Sequence, residues 1–155
     1  MDIKFKATYP ACALSNFAAH PFEIDGIKCA SMEGFLQSLK FKDPHIQKQI
    51  CCLKGSEAKD AGLDQDWQSK QTLYWKNQPL DRHSQNYQLL IDRAYAEMAS
   101  VKSFQQALLA SKNHIFTHII GESDPYKTIL TERELCDRLN SLRTQAQAVN
   151  RVITK

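Results

Sequence analysis

Glu33, Gln37 and Lys40 are spaced i, i+4 and i+7 in a stretch whose apolar residues recur at helical spacing. At about 3.6 residues per turn the three fall on one line along a helix. A carboxylate, an amide and an ammonium in one row can take a proton from water, orient a polar ligand and hold an anion. Glu33 also sits in the first turn, where exposed backbone N–H groups favour its anion. The row runs beside the apolar stripe of Met32, Phe35, Leu36 and Leu39, where a pocket wall would lie. The same spacing describes the polar flank of any amphipathic helix, with an i,i+4 Glu–Gln contact. Spacing leaves both readings open. Upstream, Ser15 and Asn16 are residue types that commonly bond to nearby backbone in turns.

The elements that would position this row can be read in order. Ile3–Phe5 could be a short strand. Phe22–Ile24 and Ile27–Cys29 flank Asp25-Gly26, a strong hairpin signal, and the hairpin runs into Ser31 as an N-cap. The first helix is expected over about Met32–Phe41. Asp43-Pro44 opens a second, with Ile46, Ile50 and Leu53 on its buried side and Gly55 as its stop. A short helix over Ser56–Ala61 closes at Gly62. The stretch 64–79, with Trp67 and Trp75, reads as irregular. Tyr87, Leu90, Ile91, Ala94, Tyr95 and Met98 make an apolar stripe on a long helix over 84–98. Phe104, Ala107 and Leu108 suggest another. Ile115–Ile120 reads as a strand or a helix end, and Gly121–Tyr126 as a turn. Thr131 and Glu134 form a capping box ahead of a last helix with Leu135, Leu139 and Leu142 inward. Residues 144–155 are polar and expected to fray.

These elements describe one mainly α (α+β) domain spanning 1–155, with a short N-terminal β-hairpin. The length of 155 residues suits a single core. Twenty basic and seventeen acidic residues are interleaved, so the charge of +3 gives no concentrated basic stripe of the kind nucleic-acid binders carry. The five cysteines show no C-x-x-C spacing, which argues against a disulfide framework or a zinc knuckle. Free thiols fit a reducing compartment. No apolar run reaches the ~18 residues of a membrane span, and Met1–Phe5 does not resemble a signal peptide. The expectation is a cytoplasmic protein with no membrane partner.

The ordered set L-S-N-F (Leu14–Phe17), P-F-x-x-D-G (Pro21–Gly26), S-x-E (Ser31–Glu33) and Q-x-x-K-F (Gln37–Phe41) resembles the signature of the YbiA-like, or NADAR, superfamily. Ala58-Lys59 before Gly62, Trp75, the helix at 84–98, Asp124-x-Tyr126 and Leu142-Arg143 extend the resemblance over about 14–143. It implies a YbiA-like helical domain that hydrolyses an N-glycosidic bond. Members of that superfamily remove ADP-ribose from the amino group of guanine, or hydrolyse N-riboside intermediates of riboflavin synthesis. The implied partner is a small nucleotide or ADP-ribose substrate, with ADP-ribosylated nucleic acid as an alternative source, and no cofactor or metal. Carried onto this chain, Glu33, Lys40 and Asp124 become the catalytic candidates. Glu33 or Asp124 would stabilise positive charge on the sugar or activate water. Lys40 would bind phosphate or attack an opened ribose as a Schiff-base nucleophile. Ser15, Asn16, Phe17, Gln37, Trp75, Tyr126 and Lys127 become the substrate-binding candidates, Trp75 by offering a flat face to base or ribose.

The chain departs from that pattern after Asp124-Pro125-Tyr126, where Lys127-Thr128-Ile129-Leu130 replaces a glycine-rich run. Glycine lets backbone approach phosphate closely, so its loss implies a different contact, with Lys127 as a compensating charge. This resembles a divergent, phage-type branch. It leaves two alternatives to an N-glycosidase: a nucleotide- or ADP-ribose-binding module without turnover, and a phage protein that acts by binding a host protein. His114 and His118 have i,i+4 spacing but lack a third ligand, and Cys51 and Cys52 read as one core and one surface thiol.

Overall fold

Asp25 and Gly26 adopt φ of +50° and +79°, the left-handed pair that a tight two-residue hairpin turn requires. They join β1 (Phe22–Ile24) to β2 (Ile27–Cys29) in antiparallel register, Phe22 opposite Cys29 and Ile24 opposite Ile27. The computed structural model describes residues 1–154. A short helix α1 (Ala11–Leu14) precedes the hairpin, and α2 (Met32–Ser38) follows it directly. Ser31 caps α2: its hydroxyl accepts from Gly34 N at 3.0 Å and donates to Leu53 O at 3.0 Å. A Cβ on Gly34 would lie 2.4 Å from Leu53 O, so only glycine allows the next layer to pack this close.

That layer is α3 (Pro44–Cys51) and α4 (Gly55–Gly62). The expected buried face of α3 is corrected: Ile46 is 38% exposed and Ile50 and Leu53 only partly covered, while Gln47 and Cys51 are fully buried. Gln47 is tolerated inside because its amide is satisfied from both ends. Nε2 donates to Ser38 O and Tyr74 O, and Oε1 accepts from Lys76 N. Gly55, at φ +58°, opens α4 rather than closing α3.

The stretch read as irregular holds a second antiparallel hairpin, β3 (Thr72–Trp75) and β4 (Gln78–Asp81), turning at Lys76 and Asn77 with φ of +51° and +69°. Then come α5 (Gln85–Met98), α6 (Lys102–Ala110) and α7 (Glu132–Thr154). The whole apolar stripe of α5 is buried. Thr131 and Glu134 make the reciprocal capping box, Thr131 N to Glu134 Oε1 at 2.8 Å and Glu134 N to Thr131 Oγ1 at 3.0 Å. The described part of the tail remains helical through Thr154, where fraying was expected. Residues 3–5 form no strand; a single parallel bridge joins Asp2 to Thr117. The architecture is α+β, with helices dominant and two small antiparallel hairpins whose inward residues, Phe22, Ile24, Leu73 and Trp75 among them, join the core. Among the described residues no helix is long and apolar enough to cross a membrane.

Candidate active site

A cleft of about 680 Å³ opens over α2, within the size range of small-molecule sites. Glu33, Leu36, Gln37 and Lys40 form its floor. Lys59 and Leu63 come from α4 and the residue after it, and Trp67 from the loop beyond. The N-terminal segment contributes Lys4, Phe5 and Lys6, and the loop after α1 contributes Ser15, Asn16 and Phe17. The facing wall is His118, Gly121, Glu122 and the segment Lys127–Thr131.

Each wall is tied down by named bonds. Asn16 O accepts from Glu33 N at 3.0 Å, which fixes the loop to the start of α2. Asn16 Oδ1 accepts from the buried Tyr95 hydroxyl at 2.6 Å. That bond leaves the Asn16 amide N–H groups without a protein acceptor among the described residues. The N-terminal segment is pinned by Ile3 N to Thr117 O at 2.8 Å and by His118 Nδ1 to Ile3 O at 2.6 Å. The far wall hangs from the buried Arg82 and Tyr87. Arg82 Nε donates to Thr128 O at 2.9 Å, and the Tyr87 hydroxyl to Ile129 O at 2.5 Å. Arg82 then pairs twice with Glu134, at 3.2 and 2.6 Å.

The floor carries the unusual electrostatics. Gln37 Nε2 donates to Glu33 Oε1 at 2.9 Å. Burial pushes the Glu33 carboxyl above its ordinary range, against the opposing pull of the Gln37 bond and of Lys59, Lys40 and His118. Burial likewise lowers the Lys40 ammonium, with Glu33 opposing and Lys59 adding to the shift. Lys40 Nζ donates to Gly62 O at 3.3 Å. Gln37 Oε1 is buried with no partner, and a Cβ on Gly62 would fall 1.9 Å from it. Glycine at 62 therefore lets α4 close down on the Glu33–Gln37–Lys40 row. Five lysines (4, 6, 40, 59 and 127) and His118 line the cleft against two acids, Glu33 and Glu122. Such a lining draws in an anion and holds a carboxylate at its base.

Of the residues singled out by sequence, the cleft brings together Ser15, Asn16, Phe17, Glu33, Gln37, Lys40 and Lys127. Three lie outside its lining. Trp75 is 6% exposed, packs edge-on against Phe35 with centroids 5.2 Å apart, and donates from Nε1 to Asp25 Oδ2 at 2.8 Å. Its indole face is committed to the core between hairpin and α2. Asp124 accepts from Tyr126 N at 2.9 Å in a tight local turn. Tyr126 is 58% exposed and stacks on His83 with centroids 4.1 Å apart. Lys4, Lys6, Lys59, Trp67 and His118 were not foreseen as lining. Ala58-Lys59 was a sequence signal for one of them; the N-terminal lysines had none, because only the pairing of residues 1–3 with 115–117 folds them over the cleft. His114 and His118 lie on non-helical chain with separate backbone partners, Ser111 O and Ile3 O, so their i,i+4 spacing has no helical meaning.

Comparison with known proteins adds three findings. The family described as Bacteriophage protein GP30.3 matches residues 8–144. The 17.1 kDa protein of the Gp30–rIII intergenic region of Enterobacteria phage T4 is 41% identical over 146 residues, covering 92% of this chain and 96% of that protein. The NMR structure of the E. coli protein YbiA aligns over 98% of this chain and 89% of its own, with a TM-score of 0.61 at 21% identity.

Proposed function

The chain belongs to the bacteriophage protein GP30.3 family and shares its fold with YbiA, and on that basis we propose that it is an N-glycosidase. The substrate class is a phosphorylated ribosylamine or an ADP-ribosylated base of the ADP-ribosyl-guanine type. The observation that carries the reading is Glu33: a desolvated carboxyl, oriented by Gln37, at the base of a lysine-lined cleft. Breaking the C1′–N bond builds positive charge on the ribose. Glu33 faces that charge, or takes a proton from the attacking water; a carboxyl moved up toward neutral pH is better suited to proton transfer. The lysines hold the phosphates, and the free amide N–H groups of Asn16 suit ribose or phosphate oxygens. Lys40 has two roles open to it. It holds phosphate when charged, and its burial moves it toward the neutral form that Schiff-base attack requires. The five unpaired thiols suit a reducing compartment, and we assign the protein to the cytoplasm.

The test is mass spectrometry of products from a panel of N-ribosylated substrates. The panel includes ADP-ribosylated guanosine in single-stranded DNA and the ribosylamines of riboflavin synthesis. Release of ADP-ribose or ribose phosphate by the wild type, lost in Glu33→Gln, supports the reading. Release undiminished in Glu33→Gln removes Glu33 from the chemistry. Borohydride reduction during turnover separates the Lys40 roles, since only a Schiff base leaves a stable adduct on that residue.

A second reading has its own observation. Asp124 and Tyr126 bond to local backbone or a neighbouring ring outside the cleft lining, which leaves Glu33 as the acidic candidate on the floor. A module that binds ADP-ribose without turnover would show thermal stabilisation by the ligand and no product. Stabilisation should follow RT ln(1 + [L]/Kd).

A further inference from the structure

We infer that His118 is the general acid that protonates the leaving nitrogen, opposite Glu33 as base. The inference rests on the N-glycosidase reading. It starts from how the imidazole is held. Nδ1 lies 2.6 Å from Ile3 O, and a carbonyl can only accept, so Nδ1 carries a proton in every state of the ring. On its Cδ2 side the ring has Gly121 packed close by, since a Cβ there would fall 2.4 Å from His118 Cδ2. The backbone is fixed too, His118 N donating to Glu132 Oε1 at 3.1 Å. With Nδ1 committed to Ile3 O, Nε2 is the polar ring atom left to the cleft that His118 lines, and it has no partner among the described residues. His118 and Glu33 both line this one cleft, His118 on the wall that faces the α2 floor.

An imidazole locked as the Nδ1–H tautomer, with Nε2 directed at the substrate space, is equipped to donate from Nε2 and then remain a stable neutral ring. The step balances as follows. The oxygen of water bonds to C1′, and its proton passes to the Glu33 carboxylate. The C1′–N bond breaks with its electron pair going to nitrogen, and that nitrogen takes the proton from Nε2–H. The products are a free ribose hydroxyl and a neutral amine. Exchange with solvent returns the proton from Glu33 and restores the one on His118. This gives the cleft an acid where Asp124, tied into its own turn, supplies none.

The experiment compares wild type, His118→Ala and His118→Asn on a ribosylated substrate that the wild type turns over. Asn keeps a donor for Ile3 O while removing the Nε2 proton. Both variants are expected to lose kcat by about 100-fold with KM nearly unchanged, and His118→Asn to keep the wild-type melting temperature. Free imidazole is expected to restore part of the His118→Ala rate. If His118→Asn turns over at the wild-type rate, or if its loss falls on KM with kcat intact, the role is structural or in binding and the inference is overturned. A wild type that releases nothing from any substrate overturns the glycosidase reading itself, and this inference with it. An active wild type beside an active His118→Asn overturns this one alone.

Discussion

Behind the cleft, Arg82 and Glu134 are matched on every side; on its floor, Glu33 and Lys40 are not. All the guanidinium nitrogens of Arg82 donate, to Thr128 O and to both oxygens of Glu134, and the group lies 5.0 Å over the Tyr87 ring. Glu134 also accepts from Thr131 N and from Gln88 Nε2. Burial pushes the Glu134 carboxyl up, and those bonds outweigh it and bring it below its ordinary value. Glu33 has only the Gln37 amide, forms no salt bridge among the described residues, and is left above its ordinary value. Charge that is buried and fully paired holds walls together. Charge that is desolvated, under-paired and open to a cleft is held ready for something that is not protein.

The sharpest test of the contrast removes Arg82. Arg82→Ala should leave the half-buried Glu134 without its partner and release the 128–131 wall, at a cost of about 3–5 kcal/mol in a denaturant titration. A loss under about 1 kcal/mol would break the distinction between the two clusters. Glu33→Gln should do the reverse: turnover falls by about 100-fold or more, while the melting temperature at pH 7 rises. The sign follows from the direction of the shift. A carboxyl raised in the folded state favours folding when protonated, and that stability is lost as pH rises from the unfolded value through the folded one. At neutral pH the charge is therefore a cost, and an uncharged amide that still accepts from Gln37 relieves it. A variant that is both less stable and fully active would contradict the assignment.

Gly62→Ala probes how the floor is held. The added methyl must displace Gln37 Oε1, so stability should fall by about 1–3 kcal/mol and activity should fall with it. The smallest effect concerns the hairpin turn. Arg93 first, then Trp75, lower the Asp25 carboxyl to about 2. Its contribution is present above the unfolded value near 3.9 and is lost as pH falls toward about 2. With the pair at the surface, solvent screening limits it to about 1 kcal/mol, visible as a shallower acid-unfolding curve in Asp25→Asn.

Much of this was legible in the residues. Asp25-Gly26, Ser31, the stripe of α5 and the Thr131–Glu134 box are local signals whose physics is complete within a few positions, and each stands where the pattern puts it. The second hairpin escaped because its turn is made by Lys76 and Asn77, without the glycine that would mark it. The buried face of α3 was misread because Gln47 is satisfied by Ser38, Tyr74 and Lys76, partners that no local window contains. In the cleft, Glu33 and Gln37 follow from helix geometry, whereas the helix expected to reach Phe41 ends at Ser38 and Lys40 stands in the turn after it, its N–H bonded to Gln37 O. Trp75, Asp124 and Tyr126 share a pattern with the row in sequence and do not line the cleft with it, since a linear order of motifs says nothing of which way each chain segment turns.

The sequence by itself determined the Glu33–Gln37 pair on α2, its cap, the hairpin that leads into it and the mainly helical α+β class, because those depend on residues within about a turn of one another. Only the tertiary structure decided that the row becomes the floor of a cleft, that the N-terminal lysines and His118 close over it, and that Trp75 belongs to the core. Desolvation is the physical reason. The shifts at Glu33 and Lys40 arise first from the burial of each; Lys59, brought in from α4, adds to the shift at Lys40 and, with His118, opposes the one at Glu33.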